Sequence, residues 1–241
     1  MLTDQIVFDI RLEWGIKGIE ILSPVSDVII IADILSFSTS VDVAVNRGAI
    51  VYPYFYKNDS AVDFALSRNA ILAESNRKAS GKYTLSPSSL INIPENTRIV
   101  LPSPNGSSLS LSTGTTLTLC GCIRNAKAVA EFAMSAGKKI SVIPAGEKWP
   151  DGSLRPALED IAGAGAIINC LKGELSPESR AALAVYKCIE TELKEQIRKC
   201  NSGLELTERG FENDIDLAAE LNVSHCVPGL VAGAYVDLNY K

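Results

Sequence analysis

The feature that most constrains the fold of this chain is a five-residue apolar run, Val28–Ala32, which ends in an acid, Asp33. The run is rich in β-branched residues and far too short to span a membrane, which is typical of a strand buried on both faces. In an open α/β sheet, ligands bind where such strands end, because the loops diverge there and helix amino ends point into the crevice. We therefore expect Asp33 to face a ligand, with a simple helix-cap or turn role as the alternative.

Hydroxyl side chains follow this acid at Ser36, Ser38 and Thr39, where the next apolar periodic segment begins. Such residues cap helices and, together with the amides of a first helical turn, bind anionic oxygens. An acid beside these donors suits a cation and an oxyanion together.

Strand-like and helix-like segments alternate along most of the chain. Besides Val28–Ala32, the pattern predicts strands over residues 6–12, 49–55, 70–73, 98–101, 115–120, 139–143 and 234–238. It predicts helices over residues 37–47, 58–68, 123–136, 156–171, 176–199, 202–210 and 213–221. This alternation indicates an α/β protein, a three-layer α/β/α fold with a largely parallel or mixed central sheet, and we expect residues 1–241 to form one domain.

Composition limits the possible partners. Of the 241 residues, 46% are hydrophobic and 21% are charged, and no apolar stretch is long enough for a membrane helix. The net charge of −5 gives no general attraction to nucleic acid or to an anionic membrane, so local groups or a metal ion must hold an anionic substrate. We expect a cytoplasmic protein with neither of those partners. A homodimer is considered, but the sequence does not decide the oligomeric state.

The six cysteines do not form a recognisable metal or disulfide pattern. Cys120 and Cys122 are the one close pair, and with a single histidine, His225, the chain lacks the ligand spacing of a zinc site. A chain of this length has little need of disulfides. We expect free, mostly buried thiols.

Polar and charged residues recur in the turns that follow predicted strands or begin helices. Each has a plainer interpretation, as an ordinary Asn-Gly turn, a surface charge or an acidic helix start. The candidates for a site are Glu74, Asn105, Gly106, Ser107, Arg124, Asn125, Glu159 and Asp160.

Taken in order, these motifs resemble the 2-phosphosulfolactate phosphatases, magnesium-dependent enzymes that remove phosphate from a three-carbon sulfonated acid on the route to coenzyme M. The likeness covers nearly the whole chain, and its specificity lies in the order and spacing of the motifs. They are Asp33-Ile34-Leu35 with Ser38-Thr39, Asn105-Gly106, Arg124-Asn125-Ala126, Pro144-Ala145-Gly146, Glu159-Asp160, Ser202-Gly203 with Leu206, Asp214 and Pro228.

The resemblance implies Mg²⁺-dependent hydrolysis of a small anionic phosphate ester. Phosphate ester hydrolysis requires charge neutralisation and a placed nucleophile, and Mg²⁺ prefers carboxylate oxygens. We expect Asp33, Asp160 and Glu159 to be the catalytic carboxylates, with roles not apportioned, and Asp33, Glu74 and Asp160 to bind the metal. The alternative is a non-catalytic relative that binds a small anionic metabolite. The residues expected to bind substrate are Ser36, Ser38, Thr39, Asn105, Gly106, Ser107, Arg124 and Asn125.

The chain departs from the family pattern at its arginines. The pattern has an arginine directly after Asp-x-Leu, where this chain has Ser36, and a Glu-Arg pair where it has Glu74-Ser75. Serine cannot replace the planar guanidinium fork that grips phosphate and sulfonate. Arg77 is the candidate for a displaced arginine, and the sequence leaves the true substrate open.

Overall fold

The computed structural model of this protein describes residues 4–55, 59–74, 77 and 83–239. Ser75, one of the departures from the family pattern, lies outside the described residues, and so does residue 58, where a helix was predicted to begin. No helix within the described ranges is both long and apolar enough to cross a membrane.

A mixed sheet of nine strands forms the centre of the described structure. Its strands are β1 (Ile10–Leu12), β2 (Val28–Ala32), β3 (Ile50–Tyr54), β4 (Ile71–Leu72), β5 (Arg98–Pro102), β6 (Leu117–Cys120), β7 (Ile140–Pro144), β10 (Pro228–Val231) and β11 (Ala234–Asp237). Across the sheet they lie in the order β1-β7-β2-β6-β10-β11-β3-β5-β4. A separate two-stranded hairpin, β8 (Glu147–Lys148) with β9 (Leu154–Arg155), follows β7.

The sheet consists of two parallel groups joined by an antiparallel hairpin. Strands β1, β7, β2 and β6 are parallel to one another, as are β3, β5 and β4. Strand β10 runs antiparallel to β6, and β11 runs antiparallel to both β10 and β3. Along the hydrogen-bonded ladder the two groups therefore run in opposite directions.

Ten α-helices lie in the described ranges. They are α1 (Gly15–Leu22), α2 (Phe37–Asn46), α3 (Asp59–Ser67), α4 (Gly106–Ser110), α5 (Ala126–Ala136), α6 (Leu158–Ile168), α7 (Pro177–Ile189), α8 (Leu193–Lys199), α9 (Asn201–Glu208) and α10 (Glu212–Ala218). Helices cover both faces of β2, because Val28 and Ile30 pack in the largest core cluster with residues of α5 and α6, whereas Ile29 and Ile31 pack with residues of α1.

The predicted fold class is confirmed, and so are the bounds of the strand at Val28–Ala32. The helix predicted over residues 176–199 is interrupted by a 3-10 turn, Glu190–Glu192, which separates α7 from α8. Helices α1 and α4 and strands β8, β9 and β10 were not predicted. Gly18 lies within α1, where a Cβ would lie 2.6 Å from the Glu13 carbonyl oxygen, so glycine permits the close approach of the residue that precedes the helix.

All six cysteines are free, as the sequence predicted, and four of them are buried. Burial raises the pKa of Cys122 well above its ordinary value. Buried thiols of this kind are inert, which excludes Cys122 as a nucleophile.

Candidate active site

Asp33 lies directly after β2, buried among backbone donors from two other segments. Its Oδ2 accepts a hydrogen bond of 2.8 Å from the Gly106 amide, and its Oδ1 accepts one of 3.3 Å from the Phe37 amide. A Cβ on Gly106 would lie 2.7 Å from the carboxylate and 2.3 Å from the Phe37 ring, so only glycine lets the backbone approach this closely. The amide that was expected to bind a substrate anion therefore binds Asp33 itself.

A cavity of about 140 Å³ opens beside this carboxylate. Its volume suits a small metabolite, and its wall carries both acidic and basic side chains. The polar residues that line it are Asp33, Ser36, Arg77, Ser103, Asn105, Glu147, Ser202, Glu205 and Arg209.

Two arginines form the basic side of the cavity. Arg77, 9% exposed, donates from Nη1 to Asp214 Oδ2 over 2.7 Å and from Nη2 to the Ser36 hydroxyl over 2.9 Å. The guanidinium carbons of Arg77 and Arg209 lie 5.7 and 5.9 Å from the centroid of the Phe211 ring. Two cations held near one ring beside a cavity are suited to bind anionic groups.

Glu147, the first residue of β8, is one of three acidic residues that line the cavity, with Asp33 and Glu205. Its Oε2 accepts a hydrogen bond of 2.9 Å from the Asn105 side-chain amide. Burial, and then the charge of Asp33, raise the pKa of Glu147 to about 7. Burial also raises the pKa of Asp33 to about 6, against the opposing effect of the two backbone amides. Both carboxyls therefore titrate close to neutral pH.

Asp160 does not line the cavity, but it stabilises the two turns beside it. Its Oδ1 accepts a hydrogen bond of 2.7 Å from the Ile34 amide, and its Oδ2 accepts one of 2.8 Å from the Gly146 amide. It thus ties the turn after β2 to the turn after β7. Burial raises its pKa well above the ordinary value. Glu159, also buried at the start of α6, does not line the cavity either.

The predicted metal set of Asp33, Glu74 and Asp160 is not assembled in the part of the chain that the structure describes. No group of three or more His, Cys, Asp or Glu residues there is arranged to hold a metal ion. Glu74 lies two residues after the end of the edge strand β4 and does not line the cavity beside Asp33. A metal at this site would therefore depend on fewer protein carboxylates.

Arg124, the arginine expected to clamp the substrate, is instead part of a buried structural network. Its Nε donates to Asp42 Oδ2 over 3.0 Å, and its Nη1 pairs with Glu220 and with the Leu217 carbonyl. Asn125 is likewise occupied, since its side chain bonds the backbone of Cys120 and Cys122. Neither residue lines the cavity.

The predicted hydroxyl donors divide into two groups. Ser36 lines the cavity, whereas Ser38, Thr39 and Ser107 are buried and donate to main-chain carbonyls. Ser38 also accepts a hydrogen bond of 2.9 Å from the Asp33 amide, so it positions the acid rather than a substrate.

The sequence analysis missed Glu147 and Arg209. Glu147 could have been found by the signal that identified Asp33, because it closely follows a buried strand, β7, in the turn that begins Ala145-Gly146. Arg209 has no comparable signal, since it follows an ordinary surface helix, α9. Only the packing of α9 against the rest of the molecule brings it to the cavity.

Comparison with known proteins finds the same relationship over most of the chain. Residues 20–233 match the family model described as 2-phosphosulpholactate phosphatase. A probable 2-phosphosulfolactate phosphatase from Synechococcus sp. (strain JA-2-3B'a(2-13)) is 30% identical over 210 residues, 81% of this chain and 85% of that protein. The 2-phosphosulfolactate phosphatase of Methanothermobacter thermautotrophicus is 29% identical over 209 residues, 84% of this chain and 86% of that protein. The chain therefore belongs to the 2-phosphosulpholactate phosphatase family.

Proposed function

We propose that this protein is a phosphoric monoester hydrolase that acts, with Mg²⁺, on a small phosphate ester carrying a second anionic group. The observation that supports this most directly is the cavity in which Asp33 and Glu147 face Arg77 and Arg209. The names of the relatives make 2-phosphosulfolactate, which carries phosphate, sulfonate and carboxylate groups, the first candidate substrate.

The two arginines bind the anionic ends of the ester. Arg77 is held in place by the buried Asp214 and by Ser36, so its guanidinium is already oriented before substrate arrives. Arg209 is exposed and adds a second positive charge at the mouth of the cavity. Guanidinium groups suit phosphate, sulfonate and carboxylate because their planar fork of donors matches two oxygens at once.

The carboxylates of the cavity fit a magnesium ion. Mg²⁺ is typically held by one or two carboxylates, with water and phosphate oxygens completing its coordination, so a cluster of three protein ligands is not required. Asp33, fixed by the amides of Gly106 and Phe37, would be its principal protein ligand. When bound, the ion would neutralise charge on the transferring phosphoryl group.

Glu147 supplies the proton transfer. Its pKa of about 7 suits a general base near neutral pH, and the Asn105 amide orients its carboxylate. In the proposed step, the oxygen of water bonds to phosphorus while the bond from phosphorus to the ester oxygen breaks. Glu147 accepts a proton from the water and returns it to the departing oxygen, which leaves an alcohol and inorganic phosphate.

The free state of all six cysteines supports a reducing, cytoplasmic setting for this reaction. Expected partners are small phosphate esters, with a homodimer as the assembly to be tested.

The experiment is phosphate release from racemic 2-phosphosulfolactate and from a panel of small phosphate monoesters, with Mg²⁺ and with chelator. The test variant is Asp33→Asn, and Asp63→Asn, at an exposed position of α3, is its matched control. We expect Mg²⁺-dependent release that is lost in Asp33→Asn and retained in Asp63→Asn. No release from any ester by folded protein would contradict the proposal and favour a non-catalytic relative that binds an anionic metabolite.

A further inference from the structure

A second, larger cavity adjoins the one that holds Asp33. It has a volume of about 280 Å³ and lies between α1, α4, the turn after β7 and the β8–β9 hairpin. We refer to it as the apolar pocket because hydrophobic side chains make up much of its wall. Those side chains belong to Trp14, Ile16, Leu109, Ala145 and Leu154.

The apolar pocket and the catalytic cavity share one wall. Pro104, Asn105 and Glu147 line both of them, and the 2.9 Å hydrogen bond between Asn105 and Glu147 lies at the boundary. The apolar space thus lies directly on the other side of the pair that includes the proposed base, Glu147.

Two glycines line this space. Gly15 and Gly146 have φ values of +56° and +69°, which other residues rarely adopt. A Cβ on Gly146 would lie 2.6 Å from Leu154 Cδ1, whereas one on Gly15 would make an ordinary contact of 3.5 Å with the same atom. A side chain at position 146 would therefore press on Leu154 at the pocket wall.

Part of the rim of the apolar pocket is apolar, although the exposed Lys17 and Lys148 also line the pocket. Ile16 and Leu154 are 44% and 42% exposed, so each presents hydrophobic surface that a bound group would cover. The hairpin pairs Lys148 with Leu154 and Glu147 with Arg155, which places a wall of the pocket and the proposed base on one short element. A group packed against Leu154 would thus also contact the element that carries Glu147.

We propose that the apolar pocket receives an apolar, ring-sized portion of the leaving group, so that the protein also accepts phosphate esters larger than a three-carbon acid. This inference rests on the proposed function, because it assumes that the phosphate of the same molecule occupies the cavity beside Asp33. The apolar pocket, at about 280 Å³, has about twice the volume of the 140 Å³ cavity and so offers space for a ring-sized group beyond it. Burial of a ring-sized group strengthens binding by about tenfold or more.

The test uses benzylphosphonate and methylphosphonate, which resemble esters but are not hydrolysed. The chain has two tryptophans, and Trp14 lines the apolar pocket, so a Trp149→Phe background makes Trp14 the single fluorescent reporter of occupancy. We expect benzylphosphonate to bind about tenfold or more tightly than methylphosphonate and to change the emission of Trp14. Benzyl alcohol, which lacks the anion, is expected to bind much more weakly.

Variants at the rim of the apolar pocket test whether the phenyl ring of benzylphosphonate binds there. Leu154→Ala and Ile16→Ala are each expected to weaken benzylphosphonate binding about threefold to tenfold and to leave methylphosphonate binding unchanged. Leu221→Ala is the matched control, because Leu221 is 41% exposed and lies away from the pocket.

Three outcomes overturn the inference. They are equal binding of the two phosphonates, benzylphosphonate binding without a change in Trp14 emission, and benzyl alcohol binding as tightly as benzylphosphonate. The proposed function fails separately, through the absence of phosphate release from every ester, including benzyl phosphate. Because the phosphonates are not hydrolysed, their titration tests binding in the apolar pocket whether or not the protein hydrolyses any ester.

Discussion

The guanidinium of Arg77 donates a 2.9 Å hydrogen bond to the hydroxyl of Ser36, which occupies the position where the family pattern has an arginine. A positive charge therefore reaches that point of the cavity from a different segment of the chain. Ser36 has no guanidinium with which to bind a substrate anion. Its hydroxyl instead accepts a hydrogen bond from the guanidinium of Arg77 and so helps to orient that group.

Replacing Arg77 with lysine should weaken substrate binding more than turnover. A lysine keeps the charge but loses the fork that bonds Asp214 and Ser36 together, so we expect KM for a phosphate ester to rise about tenfold or more. Steady-state kinetics measure this, with Arg198→Lys as a control because Arg198 pairs with Asp216 on the surface. An unchanged KM in the Arg77 variant would exclude it from the binding site.

Gly106→Ala should damage stability and activity together. The added methyl would overlap the Phe37 ring and the Asp33 carboxylate, and overpacking of this kind costs about 1–3 kcal/mol in the free energy of unfolding. Urea unfolding and phosphate release are the measurements. Gly114→Ala serves as a comparison, since a Cβ there meets nothing within 4 Å: its positive φ lowers stability, but activity should persist.

Glu147→Gln should stabilise the metal-free protein at alkaline pH while it removes activity. The pKa of Glu147 is raised from 4.5 to about 7, so the stability linked to its proton is fully present below about pH 4.5 and is lost as the pH rises through about 7. Glutamine carries no charge at any pH. At pH 8 with chelator we expect the variant to have the larger free energy of unfolding, by about 1–3 kcal/mol.

That difference should shrink as the pH falls toward 4.5, which thermal or urea unfolding across the pH range can follow. Glu131→Gln, on the exposed face of α5, is the matched control and should leave the pH dependence unchanged. Activity in Glu147→Gln should fall about 10²–10⁴-fold if Glu147 transfers the proton. A variant that keeps full activity would show that another group does so.

Arg124→Met should destabilise the fold without changing the substrate's KM. It leaves the buried Asp42 without its ion-pair partner, and uncompensated buried charges cost about 3–5 kcal/mol. We expect the Asp42→Asn/Arg124→Met double variant to recover part of this loss. Arg180→Met, at an exposed position of α7, should have little effect on unfolding. A large rise in KM with normal stability would restore Arg124 as a substrate clamp.

Local pattern was sufficient for the main elements of this protein. The β-branched run Val28–Ala32 can satisfy its backbone and bury both faces only as an internal strand, so its position and the acid that ends it could be predicted. The helix that follows, α2, is confirmed to within one residue of its predicted end, because Gly48, with φ +80°, stops it. Both predictions depend only on residues that are neighbours in the chain, and these can be read directly from the sequence.

The membership of the site was decided by tertiary structure. The sequence shows that Asp160 is acidic and Arg124 is basic, but not what they bind. In the fold, Asp160 accepts hydrogen bonds from the backbone of two turns, and Arg124 forms a structural ion pair with Asp42. Arg77 reaches the cavity because Asp214, 137 residues further along the chain, holds it there. Charge and residue type can be read from the sequence. Whether a side chain lines the cavity or has a structural role depends on the hydrogen-bond partners that the fold brings to it from distant parts of the chain.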